Sequence, residues 1–74
     1  MYLGWYDDNP KKSVQIKIEE AIEAYEDRFG THPNVVLVNE HEATNVEGVE
    51  IQVRPFIRRF NYWVGWREPV QVAA

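Results

Sequence analysis

Cysteine is absent from this chain of 74 residues, and its absence excludes several classes of protein. Without thiols, neither a disulfide framework nor a thiolate metal site can form, so a small secreted scaffold held together by disulfides is excluded. Proteins without disulfides are typical of the reducing cytosol. We therefore expect a cytoplasmic protein.

Long apolar runs are absent too. The first ten residues, MYLGWYDDNP, lack the basic region and apolar run of a signal peptide. No window approaches the roughly 20 apolar residues that a membrane-spanning helix needs. From these two observations we expect a soluble protein with no membrane partner.

Sequence patterns for nucleophilic catalysis and phosphate binding are lacking as well. The single serine, Ser13, falls in the first turns of a predicted helix and has no recognisable base nearby. The four glycines are too far apart to form a glycine-rich phosphate-binding loop. We expect no catalytic residue and no enzyme activity.

Metal ligands are sparse in the sequence. His41 stands between Glu40 and Glu42, and His32 lies earlier, but this spacing matches neither a helical HExxH pair nor a compact zinc site. A second, equally sparse arrangement for Mg²⁺ consists of Asp7 or Asp8 with Glu50 and Gln52. We expect no metal and no cofactor.

The composition that remains is that of a small folded domain. Hydrophobic residues make up 45% of the chain and include ten aromatics, which is ample for a compact core, and charged residues at 27% are ordinary for a globular protein. A chain of this length forms one domain, which we assign to residues 1–74.

One amphipathic helix is predicted over residues 10–29. Asn9 is a favoured N-cap, and Pro10 suits the first helical position. Apolar residues then recur at spacings of three and four, and Gly30 stands where a left-handed C-cap residue is wanted. The apolar stripe consists of Val14, Ile18, Ala21, Ile22, Tyr25 and Phe29.

Strands are predicted on both sides of this helix. Residues 2–6 and 35–38 are short apolar runs, and residues 49–54 and 60–66 alternate between apolar and polar side chains. The last two are expected to form a hairpin that turns near residues 57–59, and 66–74 is either a frayed tail or an edge strand. The predicted fold is a two-layer α+β domain in which one helix packs on a mixed sheet of about four strands, in the order β-α-β-β-β.

Charge is distributed unevenly along the chain. Residues 1–50 hold four Lys or Arg and eleven Asp or Glu, a net charge of -7, whereas residues 51–74 hold four and one, a net charge of +3. The basic part contains the stretch RPFIRRFNYWVGW, with three arginines and five aromatic residues. This asymmetry indicates either two parts that face each other in the fold or a basic end that meets an acidic partner.

Three interpretations of that stretch remain open. Its rings could be core and its arginines a solvated face; the arginines and Trp63 could bind single-stranded nucleic acid; or the exposed tryptophans could be anchors for another protein chain. We expect a binding or accessory module that contacts a protein partner, or a second copy in a homodimer, through the C-terminal strand pair, with single-stranded nucleic acid as the alternative. The candidate binding residues are Arg54, Arg58, Arg59, Trp63 and Trp66.

Overall fold

The computed structural model describes residues 1–68 and contains one α-helix packed with a four-stranded mixed sheet. The elements are β1 (Tyr2–Tyr6), α1 (Val14–Phe29), β2 (Val35–Val38), β3 (Glu50–Val53) and β4 (Asn61–Gly65). The predicted α+β class and the β-α-β-β-β order are confirmed. The end of the predicted tail, residues 69–74, lies outside the described residues. No helix within residues 1–68 is long and apolar enough to cross a membrane.

The order of strands in the sheet is β1-β4-β2-β3. β4 is antiparallel to both of its neighbours, whereas β2 and β3 are parallel. The predicted hairpin of β3 and β4 is therefore wrong, because β2 lies between them. Residues 54–60 contain no two-residue hairpin turn, and they cross the end of β2, where Asn39 Nδ2 donates to the Ile57 carbonyl at 2.8 Å.

The helix begins later than the sequence predicted. Asn9 caps a separate turn, in which its side-chain oxygen accepts from the Lys11 N–H at 2.9 Å. Ser13 is extended, and its Oγ accepts from the Ile16 N–H at 3.2 Å, so Ser13 is the N-cap of α1. At the other end, Gly30 takes the predicted left-handed conformation, with φ of 68°, and donates to the Glu26 carbonyl at 2.8 Å.

The core lies between α1 and one face of the sheet. The sheet contributes alternate residues of its two central strands, as expected for side chains that point to the same face. Together the buried residues of this cluster are Ile18, Ala21, Ile22, Tyr25, Val36, Val38, Tyr62 and Val64.

Both connections between parallel strands cross the same face of the sheet. α1 joins β1 to β2, and residues 39–49, which include a 3-10 helix at Glu40–Glu42, join β2 to β3. Val46 and Val49 of the second connection pack against the core, and Gln15 of α1 donates to the Asn45 carbonyl at 2.8 Å. The opposite face, which we call the open face, therefore has no helix over it within residues 1–68.

Two aromatic rings on the open face lie over glycines of the adjacent strand. A Cβ built on Gly65 would lie 2.5 Å from Cδ2 of Tyr2, and one built on Gly4 would lie 3.2 Å from Cη2 of Trp63. Tyr2 and Gly65 are paired in the register of β1 and β4, as are Gly4 and Trp63. The two glycines therefore let the rings lie against the backbone of the sheet.

Gly65→Ala is expected to lower the free energy of unfolding by about 1–3 kcal/mol, because the new methyl group would displace the Tyr2 ring. Urea unfolding at neutral pH measures this change. As a control, the same substitution is made in a Tyr2→Ala background, where most of the cost should disappear. An equal cost in both backgrounds would contradict the contact between ring and glycine.

Candidate functional site

An apolar depression on the open face is a candidate site. We call it the aromatic groove; its volume is about 410 Å³, and it is lined by Tyr2, Leu37, Phe56, Ile57 and Trp63. Leu37, Phe56 and Ile57 carry no charge or hydrogen-bonding group, and the Tyr2 hydroxyl and the Trp63 indole N–H are the polar groups of the other two side chains, so the groove suits a mainly apolar ligand group.

The groove is built from three parts of the chain. Leu37 and Trp63 are paired across the central strands, and Tyr2 comes from β1. Phe56 and Ile57 belong to the connection between β3 and β4; Ile57 is buried, whereas the Phe56 side chain is 70% exposed. Trp63 is 41% exposed even though its ring lies over Gly4, so one side of the indole remains accessible.

Arg58 lies at the border of the groove. Together with Phe56, Ile57, Asn61 and Trp63, it lines a smaller depression that shares three of its residues with the groove. Arg58 is exposed, and the ion pairs found among residues 1–68 do not include it. Its guanidinium group is therefore available to an anionic group on a ligand.

Arg54 and Trp66 lie outside the groove lining. The Arg54 guanidinium donates to the Val53 carbonyl at 2.8 Å and to Oε1 of Gln52, which holds the side chain along β3. Trp66 follows the end of β4 and is 47% exposed. Of the five residues predicted from the sequence, the structure brings only Arg58 and Trp63 together at this groove.

Arg59 contacts a buried carboxylate instead. Its Nε lies 3.8 Å from Oε1 of Glu42, and its guanidinium carbon lies 4.8 Å from the centre of the Phe60 ring. Glu42 is 1% exposed. Arg59 is thus placed by contacts within the protein, and the sequence prediction that grouped it with Arg58 did not separate their roles.

Glu42 holds the connection between β3 and β4 in place. Its Oε1 accepts from the Phe60 N–H at 2.7 Å. Phe60 has a φ of 66°, which is unfavourable for a residue with a bulky side chain and persists only where other contacts hold it. Lys17 Nζ of α1 also lies close to the Phe60 ring, 5.1 Å from the ring centre. The carboxylate and the two cations together hold Phe60 in this conformation.

Sequence reasoning missed this role of Glu42. The available signal was the pattern Asn39-x-x-Glu42 directly after an apolar strand, which is typical of the start of a helical turn. The structure has such a turn, the 3-10 helix Glu40–Glu42, and the Asn39 side chain accepts from the His41 N–H at 2.9 Å. The partner of Glu42 is eighteen positions away, however, and no local pattern identifies it.

The two histidines are engaged separately. His32 Nδ1 lies 2.7 Å from Oε2 of Glu26, and His41 Nδ1 lies 2.8 Å from Oδ1 of Asn39. Within residues 1–68, no group of three histidine or carboxylate side chains is arranged to hold a metal ion. Neither the histidine set nor the Mg²⁺ ligand set considered in the sequence therefore forms a cluster in the described residues.

Tyr62 is a buried titratable group behind the groove, on the core face of β4. Its side chain is fully buried, and its hydroxyl has no hydrogen-bond partner among residues 1–68. Burial, followed by the negative charges of Glu42 and Asp7, raises the pKa of Tyr62 to about 12. The phenol consequently stays neutral in the folded protein at pH values where an exposed tyrosine ionises.

The raised pKa of Tyr62 predicts a loss of stability at high pH. Below pH 10 the Tyr62 phenol is neutral in both the folded and the unfolded protein. Above pH 10 Tyr62 ionises first in the unfolded chain, so the free energy of unfolding falls as the pH rises from about 10 towards 12. The complete fall in the free energy of unfolding that is due to Tyr62 is roughly 2–3 kcal/mol.

Urea unfolding of the wild type and of Tyr62→Phe at a series of pH values isolates this effect, because the other tyrosines titrate in both proteins. The difference in stability between the two should shift in favour of Tyr62→Phe above pH 10. A difference that is independent of pH would contradict the raised pKa.

Comparisons of the chain with protein-family models, with curated proteins and with solved structures find no match. The functional argument therefore depends on the geometry of the open face itself.

Proposed function

We propose that the protein is a binding module without enzyme activity, and that it receives an extended apolar segment of another protein, flanked by acidic residues, in the aromatic groove. The observation that carries this proposal is the groove itself, in which apolar side chains of the sheet and of the connection after β3 surround an accessible indole. Exposed apolar surface of this kind is typical of interaction sites.

The preference for acidic flanking residues follows from the charges around the groove. Arg58 lies at one border, and Arg67 reaches over β3, where its guanidinium lies 3.4 Å from Oε1 of Gln52. The carboxylates of α1 belong to the layer on the other side of the sheet. A segment that buries apolar side chains at Trp63 can thus place a carboxylate near Arg58.

Single-stranded nucleic acid is the second candidate. The exposed rings of Phe56 and Trp63 could stack on bases, while Arg58 could contact a phosphate. The apolar lining of the groove and the net charge of -4 favour a protein segment over a polyanion.

A cytoplasmic location is compatible with the absence of cysteine. Self-association is the other interaction expected from the sequence.

The proposal is tested with two short extended peptides that share an alternating Val-Thr centre and differ only in their ends, which are Glu in one and Lys in the other. Chemical shifts of the labelled protein are followed during titration. The Glu peptide should shift the Trp63 indole and the amide of Leu37 more than the Lys peptide does. Salt-sensitive binding of oligothymidine at the same residues, with no response to either peptide, would replace the proposal with the nucleic-acid alternative.

Trp63→Ala is expected to weaken binding of the Glu peptide by at least tenfold, because a buried tryptophan at the centre of an interface commonly contributes about 2 kcal/mol or more. Trp66→Ala is the matched control, since Trp66 is exposed to a similar extent but does not line the groove. Calorimetric titration measures both affinities. Equal losses in the two variants would place the contact surface outside the groove.

Arg58→Ala and Arg59→Ala should separate binding from stability. Arg58→Ala is expected to weaken binding of the Glu peptide severalfold while changing stability by less than about 0.5 kcal/mol. Arg59→Ala should leave the affinity nearly unchanged and lower stability by up to about 1 kcal/mol, because it removes the cation beside Glu42. Peptide titration and urea unfolding of each variant check this, and the reverse pattern would contradict the assignment.

A further inference from the structure

The outer edge of β1 is a row of backbone hydrogen-bonding groups. β1 stands first in the sheet order and pairs only with β4 among the residues that the structure describes. The Asp7 N–H donates to the Phe60 carbonyl at 3.0 Å, which continues the ladder with β4. Because antiparallel ladders alternate, Leu3 and Trp5 also direct their backbone groups towards β4. The backbone groups of Tyr2, Gly4 and Tyr6 consequently point away from the sheet.

This edge lacks the features that normally prevent strands from pairing. The sequence of β1, YLGWY, contains no charged residue and no proline. The opposite edge, β3, is shorter, contains Glu50, and is followed directly by Arg54 and Pro55. Charged residues, proline and short length are the usual protections of edge strands, and β3 has all three in or directly after the strand. β1 has none within the strand, and charge is found only after its end, at Asp7 and Asp8.

We propose that β1 pairs with β1 of a second copy of this chain, antiparallel and about a two-fold axis at Gly4, to form one continuous sheet. In this register Tyr2 stands opposite Tyr6 of the second copy, and Gly4 stands opposite Gly4. Each of these pairs joins residues whose backbone groups point outwards, so each exchanges two hydrogen bonds. All five residues of β1 are used.

The side chains that meet in this register are compatible. Leu3 lies opposite Trp5 of the second copy on the face that carries α1, and both residues already pack against the core. On the open face, Tyr2 lies opposite Tyr6, which is 62% exposed in the single chain. Aromatic and apolar pairs directly across two strands are favourable. The absence of side chains at Gly4 leaves room for the Trp63 ring of each copy beside the axis.

Registers with the axis shifted towards the end of β1 are less favourable because of the acidic residues that follow the strand, and an axis shifted towards its start pairs fewer residues of β1. An axis at Trp5 places Leu3 opposite Asp7, and an axis at Tyr6 places Gly4 opposite Asp8. Asp7 is half-buried and accepts from the Asn9 N–H at 2.9 Å. Covering these carboxylates with an apolar strand would remove them from water at a cost in free energy. The axis at Gly4 keeps both of them beyond the paired segment.

The charge near β1 determines how this association should respond to salt. A cleft beside Trp5, on the side of the sheet that carries the helix, is lined by Asp7, Glu20, Glu23 and Asp27, with Lys12 as its cation. A two-fold axis at Gly4 brings two such acidic clefts towards each other. Salt screens this repulsion, so the dimer should become stronger as ionic strength rises. Binding of a nucleic acid has the opposite dependence.

The dimer extends the proposed function without depending on it. The seam lies at the edge of β1, whereas the aromatic groove lies between β1 and the connection after β3. In the continuous sheet both helices lie on one side and both open faces lie on the other. If the groove binds no peptide, the pairing of β1 is unaffected, and a monomeric protein can still bind through its groove.

Hydrogen exchange of the full chain, measured by NMR at a series of protein concentrations, gives a pattern specific to this register. The amides of Leu3, Trp5 and Asp7 should be protected at every concentration. The amides of Tyr2, Gly4 and Tyr6 should become protected only as the mass measured by light scattering doubles. Raising the salt concentration should shift both changes to lower protein concentration.

Two substitutions at Tyr6 isolate the contribution of the edge hydrogen bonds. Tyr6→Pro removes an N–H that points away from β4, and proline is tolerated where the N–H faces outwards at an edge. Tyr6→Ala loses the same ring but keeps the N–H. Because two hydrogen bonds are lost per dimer, we expect Tyr6→Pro to dimerise at least about tenfold more weakly than Tyr6→Ala.

Several outcomes would overturn the proposal. They are a monomer at all concentrations, equal dimerisation of the two Tyr6 variants, and a dimer in which other amides gain protection. Protection of Tyr2, Gly4 and Tyr6 that does not change with concentration would also overturn it, because the chain itself would then cover the edge. The exchange pattern of the wild type decides the question even if Tyr6→Pro does not fold.

Discussion

The packing of α1 against alternate residues of β2 and β4 is the contact on which the rest of the structure depends. Ile18, Ala21, Ile22 and Tyr25 meet the buried valines of β2 and β4 and the ring of Tyr62. A chain of this size has little other apolar surface to bury, so a single layer of contacts must stabilise the sheet. Burial in this layer raises the pKa of Tyr62, and the negative charge of Glu42 adds to the effect, so the phenol stays neutral.

The placement of both crossovers on one face of the sheet leaves the other face without a covering layer among residues 1–68. α1 and residues 39–49 cover the core face, and the other face is left to side chains of the sheet itself. The protein reduces the exposure of that face by laying Tyr2 over Gly65 and Trp63 over Gly4. These rings cover the backbone but remain accessible from solvent, and this is why the open face combines apolar character with exposure.

The connection between β3 and β4 separates residues that are adjacent in sequence. Glu42 binds the Phe60 N–H and lies beside Arg59, which draws one end of the connection towards the core. Phe56, Ile57 and Arg58 are left at the end of the aromatic groove. Two neighbouring arginines thus have different surroundings, one within reach of a buried carboxylate and the other exposed at the border of the groove.

The sequence by itself determined the secondary structure and the composition of the layers. Periodicity identified α1 and its glycine C-cap, the apolar run Val35–Val38 identified a covered strand, and alternation identified the strands that became β3 and β4. These features are local, because side chains within one turn or one strand decide them. Strand order, the role of Glu42 and the different surroundings of Arg58 and Arg59 were decided by tertiary structure. Each of these depends on contacts between residues far apart in the chain, such as the insertion of β4 between β1 and β2, for which no local pattern of residues carries a signal.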